Sequence, residues 1–99
     1  MPHISPLIVT LEPVTRYRLR AVLMVEGAMV DMHDIALEDG TPASLGGDLS
    51  ALIDAANLQG RPVEISAPWS EPVLGLLTLR QKLRHVLSEY RGPLPRRAA

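Results

Sequence analysis

The stretch RYRLRAVLMVEGAMVDMHDIAL, residues 16–37, decides the fold. Tyr17, Leu19, Ala21, Leu23 and Val25 alternate with Arg16, Arg18, Arg20, Val22 and Met24. Successive side chains of a strand point to opposite faces, so a period of two marks a half-buried strand. A helix over the same residues would scatter Arg16, Arg18 and Arg20 and would set Leu19 apart from Tyr17 and Ala21. Glu26-Gly27 follows, and glycine accepts the positive φ of a two-residue hairpin turn. The stretch therefore predicts antiparallel strands over 16–25 and 28–37. Folding at the turn sets Val25 against Ala28, Leu23 against Val30 and Ala21 against Met32, apolar against apolar. It also sets Arg20 opposite His33 and Arg18 opposite Ile35.

On the amino-terminal side, Pro6–Leu11 is a short β-rich run bracketed by Pro2, Pro6 and Pro13. Proline suits strand ends and sheet edges, so this run reads as an edge strand. On the carboxyl side, the acidic turn Glu38-Asp39-Gly40 leads to Thr41-Pro42, which opens a helix over Ala43–Gln59. Leu45, Leu49, Leu52, Ile53 and Ala56 form its apolar face, and Gly60 stops it. A short strand over 62–66 ends at Pro68. Ser70 then reads as the N-cap of a last helix over 71–91, with Glu71 and Pro72 in its first turn. Gly92-Pro93 ends that helix. The order β-β-β-α-β-α predicts an α/β fold, a small mixed β-sheet with helices packed on it. The crossover helix makes the strands at 28–37 and 62–66 parallel, and the first strands antiparallel additions.

A chain of 99 residues has room for one core, so residues 1–92 read as one α/β domain and 93–99 as a flexible basic tail. Hydrophobic residues make up 46%, and the aromatics are only Tyr17, Trp69 and Tyr90, so the core is aliphatic. The absence of Cys excludes disulfides, thiolate metal sites and cysteine nucleophiles. A formal net charge of −1 is no signature of nucleic-acid binding. Arg16, Arg18 and Arg20 cluster early, Asp31, Asp34, Glu38 and Asp39 next, and the far end is basic. Such zoned charge fits docking to a protein better than to a polyanion. No apolar run approaches the roughly 18 residues that span a bilayer, and Met1-Pro2-His3 lacks the basic start of a signal peptide. The expectation is a cytoplasmic protein without membrane insertion.

Val30-Asp31-Met32-His33-Asp34-Ile35, Asp39-Gly40-Thr41, Leu52-Ile53-Asp54-Ala55-Ala56 and Gly60-Arg61-Pro62-Val63-Glu64-Ile65 follow one another in a telling order. Over residues 30–83 this resembles a STAS domain, the fold of anti-sigma factor antagonists. That family has a strand of the form L-D-L-S-G-V, then Asp and small hydroxylated residues at a helix mouth. A glycine, a short strand and a Leu-rich helix come next. The resemblance implies a non-enzymatic regulatory or adaptor domain that acts by protein–protein binding. It makes Thr41 the phosphoacceptor candidate and implies a kinase-like or anti-sigma-factor-like partner. The family also has a helix ahead of the strand at residue 30. A helix within 13–26 is therefore the alternative fold.

Each candidate residue has a plainer reading. Thr41 before Pro42 is ordinary helix-start chemistry. Asp39 reads as a partner contact or as a solvated turn carboxylate. Asp31 and His33 project to one strand face and could join Glu38 or Asp39 around a metal, yet the spacing demands none. No metal or cofactor is expected. Gly46-Gly47 lacks the Lys-Ser/Thr of a phosphate loop. Trp69 reads either as an interface anchor or as a staple at the start of the last helix. In that helix, Val73, Leu77 and Leu87 are expected to face inward. Leu76, Leu79, Leu83, Val86 and Tyr90 form a second stripe, expected to bind a partner. That wide apolar surface supports the other function considered, a small structural subunit or chaperone of a larger assembly with an association helix at 71–91. A homodimer through the same stripe is a further expectation. A small enzyme using Asp31, His33 and Asp39 fits worst, since no nucleophile–base–orienter set can be assembled from the spacings.

Overall fold

The computed structural model describes residues 4–15, 18–36 and 46–90. In chain order the elements are β1 (Leu7–Thr15), β2 (Arg18–Val25), β3 (Ala28–Ala36), α1 (Gly46–Leu58), β4 (Val63–Ser66) and α2 (Leu79–Ser88). The strands form one mixed sheet in the order β3-β2-β1-β4. β1 runs antiparallel to β2 and parallel to β4, and β2 runs antiparallel to β3. This is the α/β fold with element order β-β-β-α-β-α expected from the periodicity. β3 and β4 point the same way, as the crossover requires, but lie at opposite edges of the sheet.

The hairpin forms where the period-two pattern places it. Glu26 has φ 51° and Gly27 φ 82°, so both turn residues are left-handed, the geometry that two-residue hairpins favour. Val25 pairs with Ala28 as expected. Beyond that the register departs from expectation, because Met24 pairs with Met29 and Leu23 with Asp31, leaving Val30 as an extra residue. The slip sets Ala21 opposite His33, Arg20 opposite Asp34 and Arg18 opposite Ala36. The expected pairs Leu23–Val30, Ala21–Met32, Arg20–His33 and Arg18–Ile35 are each off by one. Met29, Val30 and Met32 remain exposed, and within β3 only Ile35 is buried.

The edge assignment of the first strand is also corrected. β1 is an inner strand, paired on both sides, and Leu7, Val9 and Leu11 are fully buried. Its prolines do not prevent this. Pro6 precedes the strand, and Pro13 lies near its end, where the register breaks between Pro13 and Thr15. There the missing N–H costs few ladder bonds.

Leu7, Val9, Leu11, Leu19, Ala21, Leu23 and Ile35 meet Leu49, Leu52 and Ala56 of α1 and Leu83, Val86 and Leu87 of α2 in one aliphatic core. α1 packs over β3 and α2 beside β4, so both helices cover the same face of the sheet. The last helix is shorter than expected. It starts at Leu79, with Thr78 as N-cap, and residues 71–78 are not helical. Thr78 Oγ1 accepts from Gln81 N–H at 3.2 Å, and Gln81 Oε1 accepts from Thr78 N–H at 2.8 Å. This reciprocal capping box satisfies two helix-end donors, whereas Ser70 bridges back to Ala67.

Two outcomes follow from this packing. Replacing Gly27 by Val should destabilise the domain by about 1–2 kcal/mol more than replacing it by Asn, since a branched side chain resists left-handed φ. Urea denaturation checks this, and equal losses would contradict the turn. Tyr90 is buried, and its hydroxyl has no hydrogen-bond partner among the described residues. Burial raises its pKa above the ordinary tyrosine value. Its contribution to stability is therefore present below the unfolded pKa near 10 and is lost as pH rises through the folded value. Tyr90→Phe should fold as stably as the parent or up to about 1 kcal/mol more so, and should remove the late phase of the alkaline tyrosinate absorbance. A clear loss of stability would mean that the hydroxyl is satisfied.

Candidate protein-binding surface

The segment between β4 and α2 is built from a tight turn and a loop. Ser70 N–H donates to the Ala67 carbonyl at 3.3 Å, closing a turn that carries Trp69. Trp69 Nε1–H donates to the Val86 carbonyl at 2.9 Å, and its ring lies 4.8 Å from that of Tyr90, tilted by 58°. These contacts make Trp69 a half-buried clamp that holds the turn against α2. They do not make the expected staple at the helix entry, because α2 starts at Leu79 and Trp69 contacts its carboxyl-terminal end.

Past the clamp, Val73 packs partly against the core. Gly75 has φ +108°, a conformation that side-chain-bearing residues rarely adopt. Around it Leu74 is 85% exposed, Leu76 104% and Leu77 43%. Three large apolar side chains thus stand exposed within residues 74–77. Beside them lies a groove of about 580 Å³, walled by Val63, Ile65, Ala67, Val73 and Leu74. Glu64 and Lys82 also line it. Neither forms an ion pair among the described residues.

The structure divides the residues expected at a partner surface. Leu83, Val86 and Tyr90 belong to the chain's own core, and Leu79 packs partly against it. A buried side chain cannot line a free surface, so the association stripe expected on the last helix is not there, and the exposed leucines lie in the loop before that helix. Leu76 stays on the surface, and Leu77, expected inward, joins it together with Leu74. The signal for this was present. Thr78-Leu79-Arg80-Gln81 has the T-x-x-Q form of a capping box, and Gly75 interrupts the leucines.

Thr41 and Asp39 lie outside the described residues, as do Glu38, Arg16 and Tyr17. Arg18 is exposed, and Arg20 is half-buried between Glu12 and Asp34, its cross-strand neighbours. Its Nε has no hydrogen-bond partner among the described residues. Asp31 and His33 come together, with His33 Nε2 3.1 Å from Asp31 Oδ2. Asp31 Oδ1 accepts from Met32 N–H at 2.8 Å. Among the described residues no third His, Asp or Glu joins them as a ligand. No helix among those residues is long and apolar enough to cross a membrane. No protein-family model, curated protein or solved structure matches the chain.

Asp31 is held below the usual carboxylate range, first by the Met32 N–H and then by His33. A lowered folded pKa means that the carboxylate contributes stability above its unfolded pKa, near 4, and loses it as pH falls through the folded value. The Asp31 carboxyl should therefore titrate below the unfolded value in a carbon-detected NMR titration. In Asp31→Ala the Met32 amide should exchange faster with solvent. An Asp31 midpoint at or above 4 would contradict the hydrogen bond.

Proposed function

We propose that this chain is a non-enzymatic adaptor domain of STAS-like regulatory type that works by binding protein. The observation that carries the reading is the trio Leu74, Leu76 and Leu77, exposed beside the groove at β4. Burial against a partner would remove that apolar surface from water at about 25 cal/mol per Å². The same trio suits the second reading, a small structural subunit of a larger assembly. In that reading the contact is made by the loop at 71–78 and not by a helix over 71–91. The regulatory form comes from the sequence resemblance, with Thr41 as phosphoacceptor. The β2 strand occupies residues where that family would have a helix, so support for the regulatory form rests on the stretch from residue 30 onward. A phosphate at a helix mouth would meet free N–H groups and the positive dipole end, and would be repelled by Glu38 and Asp39.

Photo-crosslinking from position 76 in native cells tests the reading. A defined protein partner should be captured, and Leu74→Asp with Leu76→Asp should abolish capture without changing the melting temperature. Thr41→Glu should weaken the same capture if the domain is switched, while Thr41→Ala costs about 1 kcal/mol at most as a lost cap. Crosslinks that scatter over unrelated proteins, unchanged in the double variant, would sink the reading. Capture indifferent to Thr41→Glu would leave an unswitched adaptor or subunit.

A further inference from the structure

Both helices lie on one face of the sheet, and among the described residues nothing covers the other. Leu19, Ala21 and Leu23 point into the core, so alternation turns Arg20, Val22 and Met24 to the uncovered face. Residues directly opposite one another across a ladder share a face. Met24 pairs with Met29 on one side and Ile8 on the other, and Val22 pairs with Met32 and Thr10. Three of the chain's four methionines therefore lie together on the uncovered face, in two adjacent rows.

The irregularity in β3 makes this possible. On a regular strand Met29 and Met32, three residues apart, would point to opposite faces. The extra residue Val30 changes the parity and brings both to the face of Met24. Asp31 holds the arrangement. Its Oδ1 accepts from Met32 N–H at 2.8 Å, and its Oδ2 lies 3.1 Å from His33 Nε2. Directly opposite Cβ atoms stand about 4.5–5.5 Å apart and diagonal neighbours about 7–8 Å. A methionine side chain is unbranched and turns about three bonds, so three sulfurs set on this lattice can converge on one point. Met29 is 60% exposed and Met32 47%, which leaves that point open to solvent.

Apolar surface alone would be supplied by Val or Ile, which suit strands better than Met does. What methionine adds is sulfur. A thioether is a soft, uncharged donor, and among the common metal ions it selects copper(I). Harder cations find little here. The chain has no Cys, His33 pairs with Ala21 and so lies on the other face, and no group of three His, Asp or Glu forms among the described residues.

We propose that Met24, Met29 and Met32 form a copper(I) site, with the ion held by three thioether sulfurs on the uncovered face of the sheet. The site lies on β2 and β3, away from the leucine loop, and does not depend on the protein-binding reading.

An NMR titration of the full chain with copper(I), kept reduced in an anaerobic cell, tests this through the methionine methyl signals. The methyls of Met24, Met29 and Met32 should shift together and reach their end point at one equivalent, with Met1 unmoved. Met→Leu keeps volume and apolar character while removing sulfur. Replacing all three methionines by Leu should leave circular dichroism unchanged and weaken copper(I) binding at least tenfold. Met32→Leu alone, at an exposed position, should weaken it as well and serves if the triple variant misfolds. Leu74→Asp with Leu76→Asp should leave copper(I) binding as it is. The proposal is overturned if any of the three methyls stays unshifted, if the response falls on Met1 or the His rings instead, or if the Leu variants bind copper(I) like the parent.

Discussion

Leu7, Val9 and Leu11 are fully buried because β1 has a strand on each side and helices over one face. That double pairing fixes the remaining connections. An antiparallel neighbour can follow through a short turn, and β2 does so. A parallel neighbour needs a crossover. The chain meets this by folding out to β3 and returning through α1 to the far side of β1. α1 then covers the β3 side and α2 the β4 side, and both supply leucines to the same apolar layer. If β1 stood at an edge, α2 would have no strand beneath its inner face.

The same order leaves β3 and β4 as the free edges, and a free edge is a hazard unless covered. Nine residues of β3 would make a long template, and it is this strand that carries the extra residue and the Asp31–His33 pair. β4 has only four residues and lies beside the loop of leucines. The long edge is closed by side-chain chemistry, while the short edge keeps unpaired main-chain groups next to apolar surface. Asp31 and His33 thus have a structural task that needs no metal.

Much of the fold was legible because period and turn chemistry agree. Leu19, Ala21 and Leu23 are buried on the strand face that alternation picks out, and the Glu26-Gly27 turn has the backbone its residues favour. The register was not legible, because one extra residue at Val30 leaves alternation on β2 untouched while turning β3 over beyond it. The inner position of β1 was hidden by prolines that flank its paired residues. It depends on β4, which lies some fifty residues away. In the candidate surface, leucine spacing suggested one long helix. Leucines at three- and four-residue intervals do not report where a helix begins, and the cap does.

The position of that cap has an energetic consequence. Extending α2 back to residue 71 would put Gly75 inside a helix, at a cost of about 1 kcal/mol relative to Ala, and would give up the Thr78–Gln81 box, worth a comparable amount. Those local terms favour the short helix. Leaving Leu74 and Leu76 in water forgoes about 1.5–3 kcal/mol for each side chain, relative to full burial. Domains of this size are stable by only about 5–15 kcal/mol in total, so an exposure of this kind is large on the scale of the fold. Local capping explains why the segment is not helical. It does not explain why the residues placed there are leucines, since polar residues would serve a solvated loop as well. The proposed burial against another protein surface would explain it.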